Sequence, residues 1–172
     1  MTYIALGDDQ SLLRMGLAYM VESQCNTVLF ETDNGKEFQQ KIDSNNLPHI
    51  VLMDINMPEM DGSETAALIR ERKRSEHTPI IFVTAFNDDV QIAKGYSLGA
   101  VDFISTPIDQ EVMRTKVGVF VELYQKTETI RTQAAHRVQL AREQAARQVA
   151  DKAMRRYALL AEASRLLSQS LD

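Results

Sequence analysis

A chain of 172 residues, 44% apolar with a net charge of −5, is long enough for one packed domain with an extension and too apolar for a disordered segment. It has no apolar run near the ~20 residues that cross a bilayer, no basic stretch of a signal peptide at its start, one cysteine (Cys25) and three scattered histidines (His49, His77, His136). These features exclude a helical membrane span, an internal disulfide and a zinc site of ordinary spacing, and the expected compartment is the reducing cytoplasm.

Charge is divided unevenly, −9 over residues 1–125 and +4 over residues 126–172, so an acidic globular part leads into a basic tail. In chain order, Thr2–Gly7 reads as a strand closing on Asp8-Asp9. Gln10–Ser23 reads as a helix, with Leu13, Leu17, Met20 and Val21 at helical spacing and Asp9 as its N-cap. Thr27–Thr32 is a second strand. Asn34-Gly35 is a turn before a short helix, Lys36–Ser44, that carries Phe38 and Ile42 inward. Leu47-Pro48 leads into a short β-branched run, His49–Met53, which ends on Asp54 and is followed by the breakers Pro58 and Gly62. Ser63–Arg74 reads as a helix with Ala67 and Leu68 on its apolar side and a solvated basic end. Ile80–Thr84 is a fourth strand, Asp88–Leu98 a helix closed by Gly99, and Val101–Ser105 a fifth strand. Thr106-Pro107 then turns the chain into a last helix.

Strands alternating with helices predict the α/β class, a doubly wound five-stranded parallel sheet with right-handed crossovers. In the order 2-1-3-4-5, the polar ends of strands 1, 3 and 4 (Asp8-Asp9, Asp54 and Thr84) converge at the switch point beyond the carboxyl edge. Alone, Asp54 is either a loop cap or a functional carboxylate. Three carboxylates within a few Å repel one another unless a cation lies between them. No Lys or Arg nearby in sequence is placed to supply one, so the oxygen-rich set predicts a Mg²⁺ site.

From Asp109 onward there is no proline, and after Gly118 no glycine. A helix from 109 to 169 would be roughly 90 Å long. Val112, Val117, Phe120 and Val121 are expected to pack it on the sheet. Beyond Tyr124, Ile130, Ala134, Val138, Ala141, Ala145 and Val149 give a thin apolar stripe, and Ala153, Tyr157, Leu160, Ser164, Leu167 and Leu171 a heptad seam. A parallel coiled-coil homodimer satisfies that seam; a solvated linker is the alternative. The basic residues are spaced around the helix with few aromatics, which reads as a solvated face rather than a nucleic-acid surface.

These residues resemble the receiver domain of bacterial two-component response regulators, with a CheY-like, flavodoxin-like fold. The matching features are Asp8-Asp9, the run Met53-Asp54-Ile55-Asn56-Met57-Pro58-Glu59-Met60-Asp61-Gly62, Thr84-Ala85, Gly99-Ala100-Val101-Asp102-Phe103 and Ser105-Thr106-Pro107-Ile108. The resemblance covers about residues 2–122 and implies a receiver domain over 1–122 and a helical linker over 123–172. It implies that Asp54 accepts a phosphoryl group from a histidine kinase or phosphotransfer protein. It further implies that Asp9, Asp54 and the Asn56 carbonyl hold Mg²⁺ with Asp8 acting through water, and that Thr84 and the Ala85 N–H contact the phosphoryl oxygens. Phe103 is at the family's switch-aromatic position or is a plain core aromatic. The resemblance also implies a regulatory module rather than an enzyme. The tail after Phe120 looks like that of receivers at the front of multidomain signalling proteins, and residues 159–172 resemble the lead-in to a GAF or related sensor domain, so an output domain is expected beyond them.

One departure matters. The family has Lys before the proline after strand 5, and this chain has Thr106, a hydroxyl without charge. Lys94 and Arg114 are the nearest possible replacements. This opens a second reading, a pseudo-receiver that serves as a dimerisation module. Gly7 is a smaller departure, expected to leave room near the metal. A haloacid-dehalogenase-type phosphatase is disfavoured because Asn56 occupies the place of its second Asp, and a nucleotide binder because no glycine-rich loop follows strand 1.

Overall fold

The computed structural model describes residues 1–42, 47–85, 93 and 95–169, without the side chains of 166–169. Its elements are β1 (Tyr3–Gly7), α1 (Ser11–Glu22), β2 (Thr27–Thr32), α2 (Gly35–Lys41), β3 (Ile50–Met53), α3 (Gly62–Glu71), β4 (Ile80–Thr84), β5 (Asp102–Ser105) and α4 (Gln110–Gln169). All strands are parallel, in the order β2-β1-β3-β4-β5 that the sequence predicts. The chain divides into two compact units, Met1–Gln125 and Lys126–Asp172.

Period-2 alternation along the strands builds two cores. Ala5, Val51, Met53, Ile80 and Phe82 face one side, where Phe38 and Ile42 of the α2 region and Ala66 and Ile69 of α3 cover them. Ile4, Leu6, Ile50, Leu52, Ile81, Val83 and Ile104 face the other, under Leu17 and Val21 of α1 and Met113 and Val117 of α4. The buried phase of α4 is therefore 113/117 with Phe120 and Val121 beside it, and Val112, expected inside, is 45% exposed. On α3 the buried pair is Ala66 and Ile69, one position off the expected Ala67 and Leu68, which are half-buried.

Three local details correct the sequence reading. Asn34 is the N-cap of α2, its side chain accepting from the Glu37 N–H at 2.8 Å, where a turn was expected. Asp9 does not cap α1. Gln10 holds the N-cap position without a side-chain bond, and its N–H is taken by Asp8 Oδ1 at 2.8 Å. A methyl at Gly7 would meet Phe38 at 3.3 Å and Met57 at 3.4 Å, so that glycine makes room in the core and not at the acidic site. Of the helix expected over 88–98, residues 93 and 95–97 are helical and 98–99 form a turn; Asp88 and Lys94 lie outside the described residues, as do Ser44 and Leu171. Gly99 closes that turn at φ 88°, its N–H bonded to Tyr96 O, as a left-handed C-cap.

The basic end of α3 is not simply solvated. The helix stops at Glu71, Arg72 turns extended, and the Arg70 guanidinium folds back onto the carbonyls of Glu76 (3.1 Å), Thr78 (2.7 Å) and Gly99 (2.5 Å). One side chain thus ties the end of α3 to the approach to β4 and to the Gly99 turn. Arg70→Ala is expected to lower unfolding free energy by about 2–4 kcal/mol, because several partly buried carbonyls lose a charged donor together. Arg70→Lys restores less than half of this, since Lys lacks the planar fork. Urea denaturation of the three proteins checks both statements.

Candidate functional site

β1 and β3 are neighbours at the centre of the sheet, and each ends on an acidic residue. Asp8 follows β1 with its N–H bonded to Thr32 O at 3.0 Å; Asp54 follows β3 with its N–H bonded to Gly7 O at 2.7 Å. The last ladder bonds therefore fix both backbones. Asp8 and Asp54 are buried and Asp9 is exposed. The three carboxylates bring one oxygen each within 4.8 Å of one another.

Burial pushes the Asp8 carboxyl up to about 6. The Gln10 N–H bond opposes the rise, the charges of Asp54 and Asp9 add to it, and Arg14 opposes it. Burial also raises Asp54, against the pull of the Asn56 and Ile55 N–H groups, with Asp9 adding to the rise. Asp8 Oδ2 is the one buried side-chain oxygen or nitrogen without a hydrogen-bond partner among the described residues. An orphaned oxygen on one of three clustered carboxylates fits a hard divalent cation, and the all-oxygen donor set suits Mg²⁺.

The carboxylates open into a cleft of about 600 Å³ whose lining combines Asp9, Asp54, Asn56, Thr84, Ala85 and Thr106 with the apolar Leu12, Leu13, Gly16, Met20, Pro107 and Ile108. Six of the residues singled out from sequence thus share one cleft, and Asp8 adjoins it. Thr84 is buried at the end of β4, and its carbonyl accepts from the Thr106 N–H at 3.0 Å, which aligns the ends of β4 and β5.

Phe103 is apart from this group. Its ring packs on the α2/α3 side of the sheet against Phe82 (5.6 Å between centroids) and Tyr96 (4.9 Å, edge-on). It lies over Gly95, where a methyl group would fall 2.3 Å from the ring. No Lys or Arg is among the described residues lining the cleft. Arg114, a possible substitute for the missing Lys, pairs with Glu111 at 3.5 Å on α4, and Lys94 is outside the described residues. Lys116 binds Asp102 Oδ1 at 2.6 Å and the Phe103 carbonyl at 2.7 Å, joining α4 to β5.

Arg14 of α1, not singled out from the sequence, reaches the edge of the acidic site through the backbone and pairs with none of the three carboxylates. Its Nη1 donates to the Asp8 carbonyl, and its Nε pairs with Glu31 Oε2 at 3.3 Å. The i, i+4 relation of Gln10 and Arg14 is visible in the sequence; the Glu31 and carbonyl partners are not. The apolar wall from α1 was likewise missed, because Leu12 and Gly16 lie off that helix's buried stripe.

Residues 4–118 match the family described as the response regulator receiver domain. The transcriptional regulatory protein YdfI of Bacillus subtilis (strain 168) is 33% identical over 114 residues, 66% of this chain and 52% of that protein. A histidine kinase of Formosa agariphila is 28% identical over 119 residues, 69% of this chain and 8% of the kinase. This chain therefore spans about half of YdfI and a small part of the kinase. The receiver domain of a sensor histidine kinase from Pseudomonas aeruginosa PAO1, with magnesium coordinated in its active-site cleft, superposes with a TM-score of 0.63 over 70% of this chain and 98% of that one. At 19% identity this is a likeness of fold.

Proposed function

The chain belongs to the response regulator receiver domain family, a regulatory module of two-component signalling, and from that premise we propose that Asp54 is its phosphoacceptor. The observation that carries the proposal is the convergence of Asp8, Asp9 and Asp54 at the carboxyl edge of β1 and β3, with one buried oxygen left without a partner. A carboxylate oxygen of Asp54 attacks the phosphorus of a phosphohistidine on a histidine kinase or phosphotransfer protein; the O–P bond forms, the P–N bond breaks and the imidazole leaves. Asp9, Asp54 and the Asn56 carbonyl would hold Mg²⁺, with Asp8 acting through water. When bound, the ion neutralises charge on the phosphoryl oxygens. The Thr84 hydroxyl and the Ala85 N–H donate to two of those oxygens, and Thr106 offers a hydroxyl where the family places an ammonium.

In the same reading, residues 1–122 form the receiver and 123–172 a helical linker that carries the signal to an output domain. Residues 129–165 of α4 are exposed throughout and include Ile130, Val149, Tyr157 and Leu160, apolar side chains that pairing with a second copy as a coiled coil would bury. The compartment is the cytoplasm. No helix among the described residues is long and apolar enough to cross a membrane.

Mass spectrometry after acetyl phosphate and Mg²⁺ tests the assignment: one phosphoryl group on wild type and none on Asp54→Ala. That no lysine is among the described residues lining the cleft favours a second reading, in which the domain acts by dimerisation with little phosphorylation. Thr106→Lys separates the two. We expect it to bind the phosphate mimic beryllofluoride on the order of 10-fold more tightly than wild type, because a charged donor is added beside the phosphoryl oxygens. Equal affinity with an equal structural response in the two proteins would show that Thr106 limits neither capture nor switching.

A further inference from the structure

Asp8 is held at three of its four polar atoms. Its N–H donates to Thr32 O at 3.0 Å, its Oδ1 accepts from the Gln10 N–H at 2.8 Å, and its carbonyl accepts from Arg14 Nη1. Only Oδ2 is left, buried and unpartnered. Two of the three ties are backbone features of β2 and of the start of α1. The third comes from a side chain that is itself anchored. Arg14 leaves α1 one turn after Gln10, pairs through Nε with Glu31 on β2 at 3.3 Å, and is 19% exposed. Glu31 is held in turn, its carbonyl accepting from Lys41 Nζ at 2.9 Å. The Arg14 guanidinium therefore bridges β2 and the β1–α1 turn, and it fixes the peptide that carries Asp8.

From this we infer that Arg14 is a positioning residue of the acidic site. By gripping the Asp8 carbonyl from an anchored guanidinium, it keeps the free Asp8 oxygen aimed at the divalent ion. The inference rests on the Mg²⁺ reading above. Two effects of Arg14 oppose each other, which makes the sign of a substitution decisive. As a cation near a cation site, it weakens Mg²⁺ binding by repulsion, so a purely electrostatic role predicts tighter binding once it is neutralised. As the clamp on a ligand-bearing turn, it strengthens binding, and partners that orient a ligand in this way are typically worth about 10- to 100-fold in affinity.

The test is calorimetric Mg²⁺ titration of the full chain in wild type, Arg14→Met and Arg14→Gln, at a temperature where the metal-free proteins are folded. Arg14→Met removes charge and donor while keeping most of the volume, and the dissociation constant is expected to rise about 10-fold. Arg14→Gln is equally neutral but retains an N–H donor, and is expected to fall between Arg14→Met and wild type. Without metal, amide exchange at Gln10 should accelerate in Arg14→Met, because the turn has lost its clamp. Binding by Arg14→Met as tight as wild type, or tighter, overturns the inference. If Arg14→Met fails to fold, Arg14→Gln decides it by the same criterion. A wild-type protein that binds no Mg²⁺ overturns the metal reading itself, and this inference with it, a result distinct from the first.

Discussion

Asp8→Asn is expected to raise the metal-free stability of the protein at pH 7.5 and to abolish its response to Mg²⁺. In the folded chain Asp8 titrates near 6, against an ordinary value of 3.8, chiefly because it is buried and secondarily because Asp54 and Asp9 face it. A carboxyl whose folded pKa is raised binds its proton more tightly folded than unfolded. Its contribution to stability is complete below about pH 4 and is lost as pH rises through about 6. At pH 7.5 the folded state therefore carries an ionised, buried, repelled carboxylate. The full shift corresponds to about 3 kcal/mol. The cleft is open to water on the Asp9 side, so about 2 kcal/mol is the better expectation. Asn at this position keeps an acceptor for the Gln10 N–H and turns a donor toward Asp54 and Asp9. In thermal melts without metal, the substitution should raise the midpoint by several degrees at pH 7.5 and by much less at pH 5. Wild type should melt higher at pH 5 than at pH 7.5, and saturating Mg²⁺ should remove that slope. A flat pH profile in metal-free wild type would remove the electrostatic basis of the site.

Much of this arrangement was legible because a charge at the end of a buried run is anomalous. Asp54 closes four fully buried residues of β3, Asp8-Asp9 follow the buried end of β1, and the alternation of strands and helices sets the order that joins them. What escaped the sequence has identifiable physical causes. Arg14 and Arg70 act on backbone carbonyls, which no residue pattern displays, and Glu31 is distant in sequence from Arg14. Asn34 suits a turn or an N-cap equally well by composition, and only the fold of the chain around it selects the cap. On α4 the sequence places Val117, Phe120 and Val121 on the sheet as the structure does, and departs only in taking Val112 for Met113, because both are apolar and either can begin an acceptable stripe.

Gly62→Ala is expected to destabilise the protein by about 3 kcal/mol and to prevent phosphoryl capture on Asp54. Gly62 is the first residue of α3, behind the capping box in which Asp61 accepts from the Glu64 N–H and Glu64 reaches back to the Asp61 N–H. Alanine is the better helix former there by about 1 kcal/mol, and on propensity alone the substitution would stabilise. Packing reverses the sign. A Cβ built at Gly62 falls 2.2 Å from the Asp54 carbonyl oxygen and 3.0 Å from the Ile55 Cα, both backbone atoms. The Gly62 N–H is also bonded to Ile55 O at 2.9 Å, so the helix start cannot move away without breaking the loop that returns to β3. Overpacking against fixed backbone costs about 1–3 kcal/mol or more and outweighs the propensity gain. The displaced atoms belong to Asp54 itself, so the damage is local to the nucleophile. Urea denaturation measures the first effect and acetyl phosphate labelling the second. A variant that labels like wild type would mean that the Asp54 backbone can shift freely, and that the close approach of α3 to the end of β3 does not set the geometry of the acceptor.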